Sequence, residues 1–257
     1  MPSTAADPRA MTLAEAALLQ LVPGLASVPA FATLAWIFVR QGIPNIFALA
    51  LTILIVEVPV SWFIIWKRVK RETGGRRVSL AAAFPWSASV SWWQYLLIGL
   101  PLIAFSLVMV GAIGPRLDGA LLANVFPWVP DWFAMRPDPE TFAALSENML
   151  LALWALMLVS MVLVGGVTQE LYSRGFLLPR TKHFGVWAPA SNAVFFAVFH
   201  LIAPWSWPVF FLMVLPWAYL VWWRRSIKIG VFIHVGMLAV QWLGMTMLVF
   251  GLVEMPG

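Results

Sequence analysis

The run MLLALWALMLVSMVLVGG, residues 149–166, holds eighteen residues without one charge. A stretch of that length cannot be left in water, and about 20 apolar residues are what a helix needs to cross roughly 30 Å of hydrocarbon. Six further runs have the same character, giving seven candidate spans at 16–39, 43–66, 95–113, 148–168, 187–204, 207–223 and 229–251. The fourth has room to continue past 168. The expected fold class is therefore an all-α polytopic membrane protein of about seven transmembrane helices. Only 11% of the 257 residues are charged and 62% are hydrophobic, too little charge to cover a water-soluble domain. The opening residues MPSTAADPRAMT are small and polar, unlike a secretory signal peptide. The chain has no cysteine, which removes disulfides, cysteine nucleophiles and thiolate metal sites from consideration.

Charge then sets orientation. With the N-terminus cytoplasmic, one side collects Arg9, Lys67, Arg68, Lys70, Arg71, Arg76, Arg77, Arg174, Arg180, Lys182, Arg224, Arg225 and Lys228, leaving Arg40, Arg116 and Arg136 opposite. That asymmetry satisfies the positive-inside rule and places the C-terminus outside. The net charge of +5 is thus a topology signal, with no nucleic-acid partner implied; the lipid bilayer is the partner. Paired tryptophans (Trp62 and Trp66, Trp92 and Trp93, Trp128 and Trp132, Trp205 and Trp207, Trp222 and Trp223) fall near span ends, as aromatic belts do. The segment Ser79 to Trp93 is too short and Ser-rich to span and reads as an interfacial helix. The 115–146 connection carries Asp118, Asp131, Asp138 and Glu140 and suits the outer side. No internal repeat is visible. A division follows into an N-terminal region, 1–147, with three spans, the interfacial segment and the outer loop, and a core of four spans, 148–257.

Ionisable residues inside spans are costly and are functional candidates by default. They are Glu57, Glu170, Arg174, His200 and His234, while His183 sits in a basic loop. Gly185 lies fifteen residues from both Glu170 and His200. If it is the tip of an antiparallel helical hairpin, both side chains sit ~22 Å from it, at one depth. The tip, with Arg180, Lys182 and His183, would protrude into the cytosol. His234 enters from the same side, six residues after Lys228. Two imidazoles and a carboxylate suit either a base that activates water or a zinc site. A plainer reading also stands: Glu170 and Arg174 form an i, i+4 ion pair and the histidines are interhelical glue. Glu57 is as well explained by a protonated structural carboxyl as by a place in the site.

Three motifs turn this constellation toward a family. Gln169-Glu170-Leu171-Tyr172-Ser173-Arg174-Gly175-Phe176-Leu177 resembles the Glu-Glu-x-x-x-Arg motif, often followed by Gly-Phe-Leu, of the CPBP family of CAAX proteases and bacteriocin-processing membrane enzymes. Phe196-Ala-Val-Phe-His200 resembles its Phe-x-x-x-His, preceded by Ser191-Asn192-Ala193, and His234 resembles the start of His-x-x-x-Asn. The resemblance covers residues 148–251. It implies a glutamate-type intramembrane endopeptidase that cleaves a peptide or small-protein substrate near the surface of a bacterial inner membrane. The first motif glutamate and the second-motif histidine would activate water, and the third-motif residues would hold the oxyanion. On that basis the site is Gln169, Glu170, His200 and His234, supported by Arg174, Phe196 and Asn192. Gln169 stands at the base position, Glu170 orients or replaces it, His200 positions water, His234 donates to the oxyanion and Arg174 locks the helix.

Two departures count against activity. Gln169 cannot accept a proton, and Leu238, at the motif's asparagine, cannot donate to an oxyanion. Gln169 has three explanations: an engineered near-isosteric change, a natural catalytically dead relative, or a base function taken over by Glu170. No cofactor is expected; zinc is the alternative, with Asn192 or Glu57 as outer support for a histidine. The competing function is a non-catalytic CPBP-like binding, immunity or secretion partner, followed by a small transporter with Glu57 and Glu170 on a proton path.

Overall fold

The computed structural model describes residues 9–75, 77–135, 141–142 and 144–250. Arg76, Arg136, Asp138 and Glu140, assigned to sides above, lie outside them. Among the described residues seven main helices make the fold: α1 (Leu13–Val39), α2 (Asn45–Glu72), α3 (Trp92–Asn124), α4 (Glu147–Arg180), α5 (Trp187–Phe199), α6 (Trp207–Arg224) and α7 (Ile227–Val249). No strand occurs among the described residues, only one isolated bridge, Ser87 to Ser226. Six of the helices are long and apolar enough to cross a membrane. The protein is a multi-pass membrane protein.

α3 and α4 outrun the apolar runs that announced them. They are 33 and 34 residues long, so α4 extends ~50 Å. Its second half carries Gln169 to Arg180 without a break, because Gly175 lies in close contact with Phe84 and Ile227 and no proline intervenes before Pro179. Both α2 and α4 contain wide turns with i to i+5 bonding, at Ile53–Glu57, Leu158–Gly166 and Leu171–Leu177. Such turns recur at functional sites because they shift side chains off the ordinary helical register. Gln169 and Glu170 sit between two of them.

α5 is shorter than its apolar run. At 13 residues it covers ~20 Å, less than a span. The helix ends at His200, where ψ turns to 59°. The freed backbone is repaired locally: the Trp207 indole and the Ala203 N–H both donate to the His200 carbonyl. Non-helical backbone at membrane depth is tolerated where it lines a cavity or lies within protein, and residues 200–203 do both. Ala203 and Trp205 close the turn against Leu122 of α3 and Val129 and Ala134 of the connection that follows it.

Three local expectations are corrected. Ser79 to Trp93 is not an interfacial helix of that length. Before Trp92 opens α3, only Leu80–Ala83 is helical, and the residues after it leave the helix as Trp86 and Ala88 exchange backbone bonds with Ile227 and Arg225. Arg180 does not protrude at a solvated tip; it is buried, held by Glu72 and by the carbonyls of Ala83 and Phe176. Trp205 is not a belt residue either, being buried, and Trp62, though exposed, is tied to α4. Trp62 lies ten residues inside α2 and donates its indole N–H to Thr168, and Trp205 is packed in the cluster at the α5–α6 turn.

Candidate active site

Successive residues on a helix point about 100° apart, and the Gln169–Glu170 pair divides accordingly. Gln169 faces a cavity of about 300 Å³. Glu170 faces away from it, into the contact between α4 and α7, and is fully buried. Gly230 of α7 makes that possible: a methyl group there would lie 2.3 Å from Glu170 Oε1. Arg174, one turn on, donates from Nη1 to Glu170 Oε2 at 3.0 Å, as the i, i+4 spacing predicts. Its guanidinium stacks 3.9 Å over the Phe196 ring. The pair is incompletely satisfied: Glu170 Oε1 and Arg174 Nε and Nη2 have no hydrogen-bond partner among the described residues.

His234 follows Gly230 by one turn of α7. Its Nδ1 is 3.3 Å from Glu170 Oε2, but it lacks hydrogen-bond geometry there and has no other partner among the described residues. Its ring is wedged between Trp217 and Phe196, at centroid separations of 5.4 and 6.0 Å, and reaches the cavity wall. His200 occupies the end of α5. Its Nδ1 lies 2.9 Å from the Phe196 carbonyl. A carbonyl only accepts, so Nδ1 carries the hydrogen and the lone pair of the neutral ring is on Nε2. Phe196 thus serves three groups at once: it carries Arg174, abuts His234 and fixes the His200 tautomer.

Glu57 is the addition. It reaches the cavity from the wide turn of α2, and its Oε1 accepts a hydrogen bond from Gln169 Nε2 at 2.8 Å. Glu57, Gln169, His200 and His234, from four helices, line one cavity. The remaining wall is largely apolar, with Leu49, Ile53, Met161, Met213, Met237 and Leu238. Leu238 also packs on Gly166, where an added methyl would come within 2.6 Å of its Cδ1. Asn192 stands apart, donating to the Ser173 carbonyl and thereby tying α5 to α4. The two histidines share one cavity with position 169; Glu170, expected to converge with them, is not at its wall, and Glu57 is.

For a metal, the proposed set of His200, His234 and Glu170 is not assembled. Among the described residues no three His, Asp or Glu side chains come together in a ligand cluster, and Glu170 is committed to Arg174.

Sequence reasoning gave Glu57 only an even claim and missed Gly230. The first carried a signal, an ionisable residue within a span. The second carried a weaker one, a small residue one turn before His234 on the same helical face.

Comparison with known proteins places these residues in context. No curated protein and no solved structure matches the chain. Residues 151–240, which include Gln169, Glu170, Arg174, His200, His234 and Leu238 but not Glu57, match a family model described as type II CAAX prenyl endopeptidase Rce1-like.

Proposed function

We propose that the protein is an intramembrane endopeptidase of glutamate type, hydrolysing a peptide bond of a membrane-associated peptide or small protein, with its N-terminus on the cytoplasmic side of a cell membrane. The observation that carries the reading is one cavity, of a size for a few residues of chain, bringing together Glu57, Gln169, His200 and His234 within and beside the Rce1-like segment. His200 offers Nε2 to a water, and His234 stands at the same wall as the donor for a developing oxyanion. Glu170 and Arg174 hold α4 against α5 and α7, and take no part in proton transfer. The reading uses no metal.

A second reading keeps the cavity and drops the chemistry: a peptide-binding protein without turnover. It is favoured by Leu238, whose side chain lies against Gly166 and cannot donate a hydrogen bond where the family motif has asparagine. Reconstitution in liposomes with a prenylated peptide ending in a CAAX box decides between them. The endopeptidase reading predicts cleavage by the wild type, abolished by His200→Ala. Peptide that binds but stays intact, with the wild type and with Gln169→Glu, establishes the binding protein.

A further inference from the structure

Glu57 belongs to none of the motifs, lies outside the segment that matches the family, and is separated from Gln169 by 112 residues of sequence. Yet it is tied to the one position where a proton acceptor is missing. We infer that Glu57 is the general base of this site: the carboxylate that the family motif places on α4 is supplied here from α2, and Gln169 holds it. The inference rests on the endopeptidase reading and assigns its central proton transfer.

Three observations carry it. The first is placement. Glu57 is an ionisable residue within a span, and among the described residues it is the carboxylate on the cavity wall with the two histidines. Such groups are kept where they line a pathway or a site. The second is bonding. Gln169 Nε2 donates to Oε1, while Oε2 takes no hydrogen bond from the described residues and is not fully sealed. One oxygen is anchored and the other is left to the cavity, which is what orienting a base toward a water requires. The third is the identity of residue 169. Two carboxylates at 2.8 Å cannot both ionise; one is forced to keep its proton. A glutamine there carries no charge to oppose Glu57 and donates a hydrogen bond to it instead. Gln169 is then the complement of a base on α2, and no lesion needs to be invoked. The wide turn Ile53–Glu57 brings the side chain to this face, and Gly165 packs so closely on Ile53, 2.7 Å from an added methyl, that α2 and α4 can meet there.

The step balances without a co-reactant. Glu57 takes a proton from water as the water oxygen bonds to the peptide carbonyl carbon, and the carbonyl oxygen becomes an oxyanion facing His234. The proton on Glu57 then passes to the amide nitrogen as the C–N bond breaks, giving a carboxylic acid and an amine. His200, through Nε2, accepts a hydrogen bond from the attacking water and fixes its direction.

The test exchanges the two side chains. Wild type, Glu57→Gln, Gln169→Glu, the double variant Glu57→Gln with Gln169→Glu, and His200→Ala are reconstituted and assayed on the prenylated CAAX peptide, with thermal melting of each. The expected result is a loss of at least about 10²-fold in kcat for Glu57→Gln at little change in KM, and recovery of at least tenfold of that loss in the exchanged double variant. Should Glu57→Gln fail to fold, Glu57→Asp decides in its place: a drop in kcat of tenfold or more supports the assignment, and wild-type kcat overturns it. Glu57→Gln within threefold of the wild type, with His200→Ala silent, overturns it and leaves the endopeptidase reading standing, as does a folded double variant that recovers nothing. Activity confined to Gln169→Glu puts the base on α4 and refutes the role of Glu57. Silence of every protein, Gln169→Glu included, removes the endopeptidase reading itself.

Discussion

Two arginines of α4 pair with glutamates, one across to α2 and one within α4, and they are bonded differently. Near the basic end, Arg180 spends its whole guanidinium: Nε and Nη2 go to the two oxygens of Glu72, and Nη1 to the carbonyls of Phe176 and Ala83. Arg68 completes the cluster with bonds to Glu72 and Glu15. Deeper in, Arg174 makes one charge-assisted bond to Glu170 and leaves Nε and Nη2 without partners, and Glu170 leaves Oε1. A fully bonded pair can serve as a clamp between helices. Breaking a buried pair is costly because the survivor is a charge in a medium of low dielectric constant. The deeper pair is therefore both more fragile and better placed to sense what happens at His234 and Phe196.

The largest expected effect is at that deeper pair. Arg174→Ala strands the Glu170 carboxylate and removes the stack on Phe196, so we expect a loss of about 3–5 kcal/mol, seen as a lower melting temperature and little folded protein. Replacing both members, Glu170→Leu with Arg174→Met, should recover most of that loss, since an apolar pair of similar volume avoids desolvation. If the double variant is no more stable than the single one, the interaction is not a simple ion pair. Gly230→Ala comes next. Its methyl would press on Glu170 Oε1, and over-packing of this kind costs about 1–3 kcal/mol. A melt unchanged by this substitution would mean that the carboxylate has room to withdraw. Arg180→Lys should be the mildest, about 1–2 kcal/mol, because lysine keeps the charge and loses the two-pronged contact with Glu72. A larger loss from Arg180→Lys than from Arg174→Ala would invert the comparison.

How much of this was written in the sequence depended on distance along the chain. The helices were legible because each is a long apolar run, and Glu170–Arg174 because i, i+4 neighbours on a helix meet. The Glu57–Gln169 and Glu72–Arg180 contacts span 112 and 108 residues, and no periodicity announces a partner so far away. α5 was read too long for a different reason. Leu201, Ile202 and Ala203 continue its apolar run, and hydropathy cannot see that His200 ends the helix by turning its backbone. Which face Glu170 takes was settled by Gly230, a residue whose contribution is the space it leaves.

The most direct test of the central claim, that the cavity shared by Glu57, Gln169, His200 and His234 hydrolyses peptide bonds, is mass spectrometry of products formed in ¹⁸O-labelled water. With the protein in liposomes and the prenylated CAAX peptide as probe, the account predicts one ¹⁸O atom in the carboxyl group newly formed at the cleavage site, and no product at all from His200→Ala. Intact peptide after incubation with both the wild type and Gln169→Glu, each folded, would contradict it.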